Sequence, residues 1–344
     1  MGLITFSGGV NAALRVQRWA VELWHTHQRD QFFNGDGLYG KGANNIVMEK
    51  ADFTKKAGFQ MTEGLIMPFE DAGVVNDELL EDHEEAPDFY SMTWTISQLR
   101  NAGRFAGEET QQATEYNLPM EIKDGLGTWM AQKRDEHIFD QLGDSPTKIY
   151  YVNGRAGTST IVATDLLTLA DWAKAKTYAS SIASPLIPPV KIAKVGMKTV
   201  YRYVGLMHDN VAFDLQVNDA VYAQSVREAG QRGDGNALFA GNLIDWQGMI
   251  LYQHPGCPLF TTWGAGSDVL GAESYLLGRQ AVIVGIGGYR MEKKNGYLKM
   301  VEKKFDYENQ FGVAIGIIKG EAKAVFNSKD FAVVAYRSAR TDIS

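Results

Sequence analysis

The stretch that most limits how this chain can fold lies near its C-terminus. Phe305-Asp306-Tyr307-Glu308-Asn309-Gln310-Phe311-Gly312-Val313-Ala314 opens a series of strand-like segments, and Phe326-Asn327-Ser328-Lys329-Asp330-Phe331-Ala332-Val333-Val334 closes it. Val313, Ile315 and Ile317, then Phe331, Val333 and Val334, are the β-branched and aromatic residues that suit a pleated, half-buried surface. Gly320 and the Asn327-Ser328-Lys329 cluster are expected to supply the turns between the strands. No nucleophile paired with a base, no metal cage and no phosphate cradle occurs in this stretch. A region rich in strand signals and poor in chemistry points to assembly rather than catalysis.

Size and charge narrow the reading further. A chain of 344 residues is enough for two or three compact units at roughly 100–200 residues each. Its 45% hydrophobic and 22% charged residues are those of a globular protein, which excludes wholesale disorder. A net charge of -7 argues against a dedicated DNA reader, which carries a basic patch. It does not exclude a wall beside packaged DNA, which gains from not sticking to it. The single cysteine, Cys257, cannot close a disulfide within the chain. No apolar run approaches the roughly 20 residues of a membrane-spanning helix. Met1-Gly2-Leu3-Ile4-Thr5-Phe6 lacks a signal pattern and puts Phe6 where a myristoylation motif needs Ser or Thr. The expectation is a soluble, cytosolic product.

Residues 11–33 read as an amphipathic helix capped by Asn11, with Leu14, Trp19 or Ala20, Leu23 and His27 near the helical period. Its aromatic residues, Trp19, Trp24, Phe32 and Phe33, have two readings: they pack on the chain's own body, or they anchor an arm on a neighbour, where aromatics are enriched. Ile46–Met48, Gly58–Met61 and Ser91–Ile96 read as strands, the last with Met92, Trp94 and Ile96 alternating with polar residues. Between them runs a polar, acidic stretch from Asn76 to Asp88. A two-stranded excursion with a charged middle has too little core to stand alone.

Residues 108–142 form the longest helical candidate, with Leu118, Ile122, Leu126, Trp129, Met130, Ile138, Phe139 and Leu142 on one stripe. Pro119 predicts a kink or a fresh start near 117–119, and Gly143 with Pro146 a stop. From 151 to 298 helix and strand alternate. Thr164 is expected to cap a helix to about Ser180 with Leu166, Leu169, Ala170 and Ala173 inward, and Ala183–Pro189 reads as a break. Thr199–Leu206, Met249–Gln253 and Ala281–Val284 read as strands, with a helix near Asp219–Ala229.

Motifs that suggest chemistry fail on context. Gly35-Asp36-Gly37-Leu38-Tyr39-Gly40 matches a dinucleotide fingerprint by letter, but that mechanism needs a strand before it and a helix start after it. Gly285-Ile286-Gly287-Gly288 follows an apolar strand, yet Arg290 stands where the third glycine belongs. A catalytic carboxylate pair needs one member raised by burial, and the run Glu78–Asp88 reads as a solvated face. The histidines His25, His27, His83, His137, His208 and His254 show no metal spacing. Cys257 in a Pro/Gly turn reads as buried and inert.

Many short segments in one order then resemble a known family. They are Val47-Met48-Glu49-Lys50 with Ala57-Gly58-Phe59, Leu80-Glu81 with Glu84-Glu85-Ala86, and Phe89-Tyr90 through Thr95–Arg100. Ile122-Lys123-Asp124 to Trp129, Asp135 to Phe139, Gln224–Ala229, Leu238–Leu243, Trp246-Gln247-Gly248 and the closing strands follow. Together they resemble the major capsid proteins of tailed phages of the enquatrovirus (schitovirus) type. The resemblance implies the α+β fold of tailed-phage and herpesvirus shells: an N-terminal arm (1–45), an extended β loop (46–106), a peripheral domain with a spine helix (107–150), an axial α/β domain (151–298), and closing strands of the peripheral domain (299–344).

The implied function is self-assembly, as hexamers and pentamers, into an icosahedral shell around double-stranded DNA. Its implied setting is a virion capsid assembled in the host cytoplasm. Implied partners are the chain itself, scaffolding, portal and decoration proteins, and non-specifically the DNA; no membrane, metal, cofactor or catalytic residue is expected. Expected interface residues are Trp19 and Trp24 of the arm and Glu81, Glu84 and Glu85 of the acidic stretch, the latter meeting a basic patch on a neighbour carrying Arg100 and Arg104. Two rivals remain at this stage: a cellular nanocompartment shell with protein cargo, and a carbohydrate-active hydrolase using the acidic run.

Overall fold

A computed structural model describes residues 32–34, 38–55, 57–69, 71, 73–76, 79–112, 118–195, 198–224, 244–288 and 298–343. Two sheets organise them. The first runs β1 (Tyr39–Gly40), β2 (Val47–Lys50), β13 (Val282–Ile286), β15 (Gln310–Lys323) and β14 (Lys299–Phe305), with β5 (Ser97–Arg104) on the other edge of β15. The second runs β6 (Ile149–Tyr151), β18 (Val333–Ala339), β12 (Val269–Leu277), β8 (Lys198–Met207), β10 (Met249–Gln253) and β9 (Ile244–Trp246). In that sheet β7 (Val190–Val195) pairs with β8, and β11 (Leu259–Trp263) with β12.

The fourteen residues of β15 serve both of its edges. Residues 312–319 pair with β5, 310–316 with β14 and 319–323 with β13. Period-two alternation sends Val313, Ile315 and Ile317 to one face, where Leu126 and Met130 of the long helix Leu118–Gly143 close a small core. Ala314, Gly316 and Ile318 face the other way. Helical residues stand at Glu108–Gln112 and at Leu118–Gly143, and the junction at 113–117, where a kink or fresh start was expected, lies outside the described residues. Ile138, Phe139 and Leu142 at the C-terminal end of the long helix join the larger core shared by both sheets.

Four local expectations are corrected. Gly320 makes no turn: it is an interior residue of β15, where a Cβ would lie 2.0 Å from the Thr95 carbonyl oxygen. Asn327 with Ser328 does turn as expected, and Asp306, Tyr307 and Glu308 make the other turn, all at positive φ. The α-helix that follows β6 is Leu169–Thr177, capped by Thr168 and not Thr164, because Thr168 and Asp171 exchange hydrogen bonds in a capping box. Leu169, Asp171, Trp172 and Ala175 are its buried residues, while Ala170 is exposed and Leu166 and Ala173 are only half-buried. A helix not foreseen in the sequence stands at Asp209–Asn218, just before the expected one. Asp219 follows it and accepts the backbone N–H groups of Leu169, Val221 and Tyr222, which opens a helical turn at 220–224. The rest of the predicted helix, from 225, is outside the described residues.

Two strands couple the sheets. β13, within the span 151–298, pairs with β2 and β15 in the first sheet, and β18, within the closing span, pairs with β12 in the second. Phe33, Ile46 and Val47 accordingly share a core with Trp172, Leu206 and Tyr275. β2 and β5, inside the span 46–106, belong to the first sheet; the projecting part is the pair β3 (Gln60–Ile66) and β4 (Phe89–Thr95) with the segment between them.

Candidate subunit interface

The β3–β4 hairpin stands on a glycine-floored root. Trp94, buried at the end of β4, meets Phe53 edge-on at 5.4 Å and lies where a Cβ on Gly285 would fall 2.1 Å from its ring. Met92, Met48, Ile283, Ala324 and Phe326 complete this small cluster. Gly320 lets the Thr95–Ile96 backbone cross β15 at contact distance. Across the hairpin Met61 faces Trp94 and Leu65 faces Tyr90, so one face of the ribbon is half-buried on the body. Lys50 on β2 reaches Glu63 at 3.3 Å from below.

Beyond the root the hairpin is exposed in a way its composition does not explain. Phe59, Ile66, Phe69, Val75, Leu79, Leu80 and Phe89 are each 58% to 76% exposed, on a segment with no core of its own. Scattered exposed apolar residues are ordinary, whereas a concentration of this kind marks a surface meant to be covered. At the tip Glu81 and Glu84 are exposed; Glu85 is too, yet its Oε2 accepts the Asp71 N–H at 2.9 Å and ties the two legs of the loop together. Glu85 thus shapes the tip as well as charging it.

Arg100 and Arg104 sit on β5, exposed, opposite Gly316 and Gly312 of β15. The Arg104 guanidinium lies 5.1 Å above the Phe305 ring. The acidic tip and these arginines are not brought together within one chain. Trp19 and Trp24 lie outside the described residues. Phe32 and Phe33 pack on their own body: both backbone N–H groups donate to the Asp135 carboxylate, and the rings contact Phe139, with Phe32 also meeting Tyr252 and His254.

The sequence candidates for chemistry fall into structural roles. Tyr39-Gly40 enters β1 and pairs with β2. Gly285 and Gly287 are crowded by Trp94, Ile96 and Ile318. His254 stacks on Phe139, and its Nδ1 accepts the Gly256 N–H. Burial pushes the Cys257 thiol well up, with Asp209 and Glu273 adding to the effect, so no thiolate is on offer. Among the described residues no cluster of three or more His, Cys, Asp and Glu could hold a metal ion, and no helix is long and apolar enough to cross a membrane. The exposed apolar residues of the hairpin were missed in the sequence because Phe59, Ile66 and Phe89 read equally well as buried strand residues.

A thin ribbon that exposes its apolar side chains, rooted in a mixed two-sheet body, is the make-up of a subunit designed to be covered by other subunits. The sequence matches the phage capsid protein family over residues 7–148 and 144–340. It is 24% identical to the major capsid protein of Pseudomonas phage KPP25, over 92% of this chain and 93% of that one. The fold resembles the capsid of Ralstonia phage GP4 with a TM-score of 0.76 at 24% identity, covering 90% of this chain and 91% of that one. It also resembles the capsid of cyanophage Pam1, with a TM-score of 0.75 at 20% identity, covering 88% and 91%. The chain belongs to the phage capsid protein family. It is a major capsid protein of tailed-phage type, a structural component of the virion shell built from many copies of itself.

Proposed function

We propose that this chain assembles as hexamers and pentamers into a closed icosahedral shell around double-stranded DNA, its hairpin and arm covering neighbouring subunits. The observation that carries the reading is the run of exposed apolar side chains from Phe59 to Phe89 on a ribbon without its own core. Many moderate contacts of this kind multiply once the first has formed, because each later one is made at high effective concentration. In this division residues 1–45 are the arm, 46–106 the extended loop, 107–150 and 299–344 the peripheral domain, and 151–298 the axial domain. Trp19 and Trp24 act as arm anchors. Scaffolding, portal and decoration proteins are further partners, assembly takes place in the host cytoplasm, and DNA is held without sequence preference.

The acidic tip, Glu81, Glu84 and Glu85, pairs with Arg100 and Arg104 of a neighbour. Exposed pairs contribute only about 0–1 kcal/mol each, so they set encounter and register more than strength. Reversing all three glutamates to lysine is expected to slow assembly and to invert its salt dependence, read by light scattering of the purified chain between low and high salt. An unchanged rate and salt slope would remove the tip from the interface.

No residue is catalytic, and the shell closes without covalent links between subunits. Lys55 is exposed on the loop, whereas an isopeptide link needs a carboxylate buried beside the amine to take its proton. Denaturing electrophoresis of mature particles is expected to give one band near 38.0 kDa. A ladder of multiples would mean that subunits become cross-linked.

A further inference from the structure

A second hairpin, β7 with β8, leaves the body, and its charge is unlike that of the rest of the chain. β10 and β12 pair with β8 only from Tyr203 and Val204 onward. Among the described residues, Val190–Val195 and Lys198–Arg202 therefore pair only with each other, as a two-stranded ribbon. No acidic residue occurs between Asp171 and Asp209, while Lys174, Lys176, Lys191, Lys194, Lys198 and Arg202 all fall there. In a chain of net charge -7 this stretch is the exception. Lys174 and Lys176 are engaged below the ribbon, the first with Asp171 at 3.1 Å and the second with the Gln247 carbonyl. The other four cations lie on the ribbon itself.

The root of the ribbon is tied on both strands, which fixes its direction. The Asn44 side chain accepts the Lys191 N–H at 2.8 Å and donates to the Lys191 carbonyl at 2.6 Å. The Tyr203 hydroxyl donates to the Ile187 carbonyl at 2.9 Å. Beyond these ties, register sets cations at positions of both faces. Lys191 pairs with Tyr201 and Lys194 with Thr199, whereas Val190 pairs with Arg202 and Val195 with Lys198. Paired residues share a face, and alternate residues along a strand repeat it. Lys191, Lys194 and Tyr201 therefore hold positions of one face, Lys198 and Arg202 of the other. The irregularity between Lys191 and Ala193 is what brings Lys191 and Lys194 into phase. Lys191 and Tyr201 are both exposed.

An acidic patch on a protein would meet one face of such a ribbon and leave the cations of the other face without counter-charge. Double-stranded DNA offers negative charge on both sides, because its major groove, about 12 Å wide, admits a two-stranded ribbon between two rows of phosphates. We infer that the β7–β8 ribbon is where this subunit touches the packaged double helix, with Lys191, Lys194, Lys198 and Arg202 on phosphates. This rests on the reading of the chain as a shell around DNA and names the surface of contact. Contacts to phosphate position the partner and carry no sequence information. Four cations on an otherwise acidic chain make each contact weak and salt-sensitive, which suits a helix that has to slide past while the shell fills.

Lysine acylation of intact particles, read by mass spectrometry, tests the contact in place. Lys191, Lys194 and Lys198 are expected to react several-fold more slowly in DNA-filled particles than in the same particles emptied of their DNA. The unassembled full-length chain, titrated with a short fluorescent DNA duplex, supplies the second readout. Lys191→Gln with Lys194→Gln and Lys198→Gln is expected to lower the log–log salt slope by about three and the affinity roughly a hundredfold at about 0.1 M salt. Arginine at the same three positions should preserve both. Lys299→Gln with Lys303→Gln and Lys304→Gln on β14 makes the same change in net charge and should leave the slope as it is. Equal losses from the two triple variants would overturn the ribbon, reducing it to net charge. Equal reactivity in filled and emptied particles would also overturn it and leave the shell reading intact: slow in both means that protein covers the ribbon, fast in both that nothing does. Particles that hold no DNA would overturn the shell reading and the contact with it.

Discussion

Gly320→Ala is expected to be among the most damaging single changes available in this chain. A Cβ there would sit 2.0 Å from the Thr95 carbonyl oxygen and 2.9 Å from the Ile96 Cα. Both are backbone atoms of the crossing strand, so no side-chain rotation relieves the clash. Overpacking of a core side chain costs about 1–3 kcal/mol; here the β4–β5 junction itself must lift from β15, and about 3 kcal/mol or more is expected. Lifting the junction also re-aims the hairpin, so particles should fail to close even at temperatures where the fold survives. Gly64→Ala in β3 is the matched control: nothing lies within 4 Å of its Cβ position, and a change within about 0.5 kcal/mol is expected. Thermal unfolding of the two variants, followed by electron microscopy of their particles, makes the comparison. Equal behaviour would show that the crossing has slack.

Glu321→Gln is the second large effect. Lys319 and Glu321 are both buried, and they form an ion pair that His137 approaches at 3.7 Å. Burial alone would raise the Glu321 carboxyl, but His137 and Lys319 hold it below its ordinary value. Burial lowers the Lys319 amine, with Glu321 opposing and Arg134 reinforcing the shift. Neutralising Glu321 leaves Lys319 and Arg134 as neighbouring buried cations with Asp135 as their remaining counter-charge. Breaking a buried pair in this way costs about 3–5 kcal/mol, whereas replacing both members by apolar residues is often near neutral. Glu321→Gln should therefore lower the unfolding temperature sharply, and Lys319→Met with Glu321→Leu should recover most of the loss.

The pH dependence follows from the sign of the carboxyl shift. A carboxylate whose folded pKa is depressed contributes stability that is present above its unfolded pKa, about 4.3, and is lost as pH falls through the folded value. The gap between wild type and Glu321→Gln should be full at pH 7 and shrink below about pH 4. Thermal unfolding across that range reads it. A gap independent of pH would mean that the carboxylate's charge contributes nothing to stability.

Much of the architecture was legible because short-range rules govern it. The alternation of Val313, Ile315 and Ile317 describes a strand with one buried face whatever it packs on. Gly143 and Pro146 stop the long helix where short-range rules place its end, and it closes at Gly143. The thinness of the hairpin could be read from its acidic middle, and the capsid resemblance followed from the order of many short segments.

What the tertiary structure alone decided concerns residues whose meaning lies in what approaches them. Gly320 reads as a turn because glycine usually is one, and only the crossing of Thr95–Ile96 turns it into a close-approach site. Phe32 and Phe33 could serve an arm or a core, until the Asp135 carboxylate, about a hundred residues away in sequence, takes their N–H groups. Sequence determines period, punctuation and charge, because these act over a few residues. The pairing of β5 with β15 joins segments about two hundred residues apart, and that register is settled only when the whole core closes.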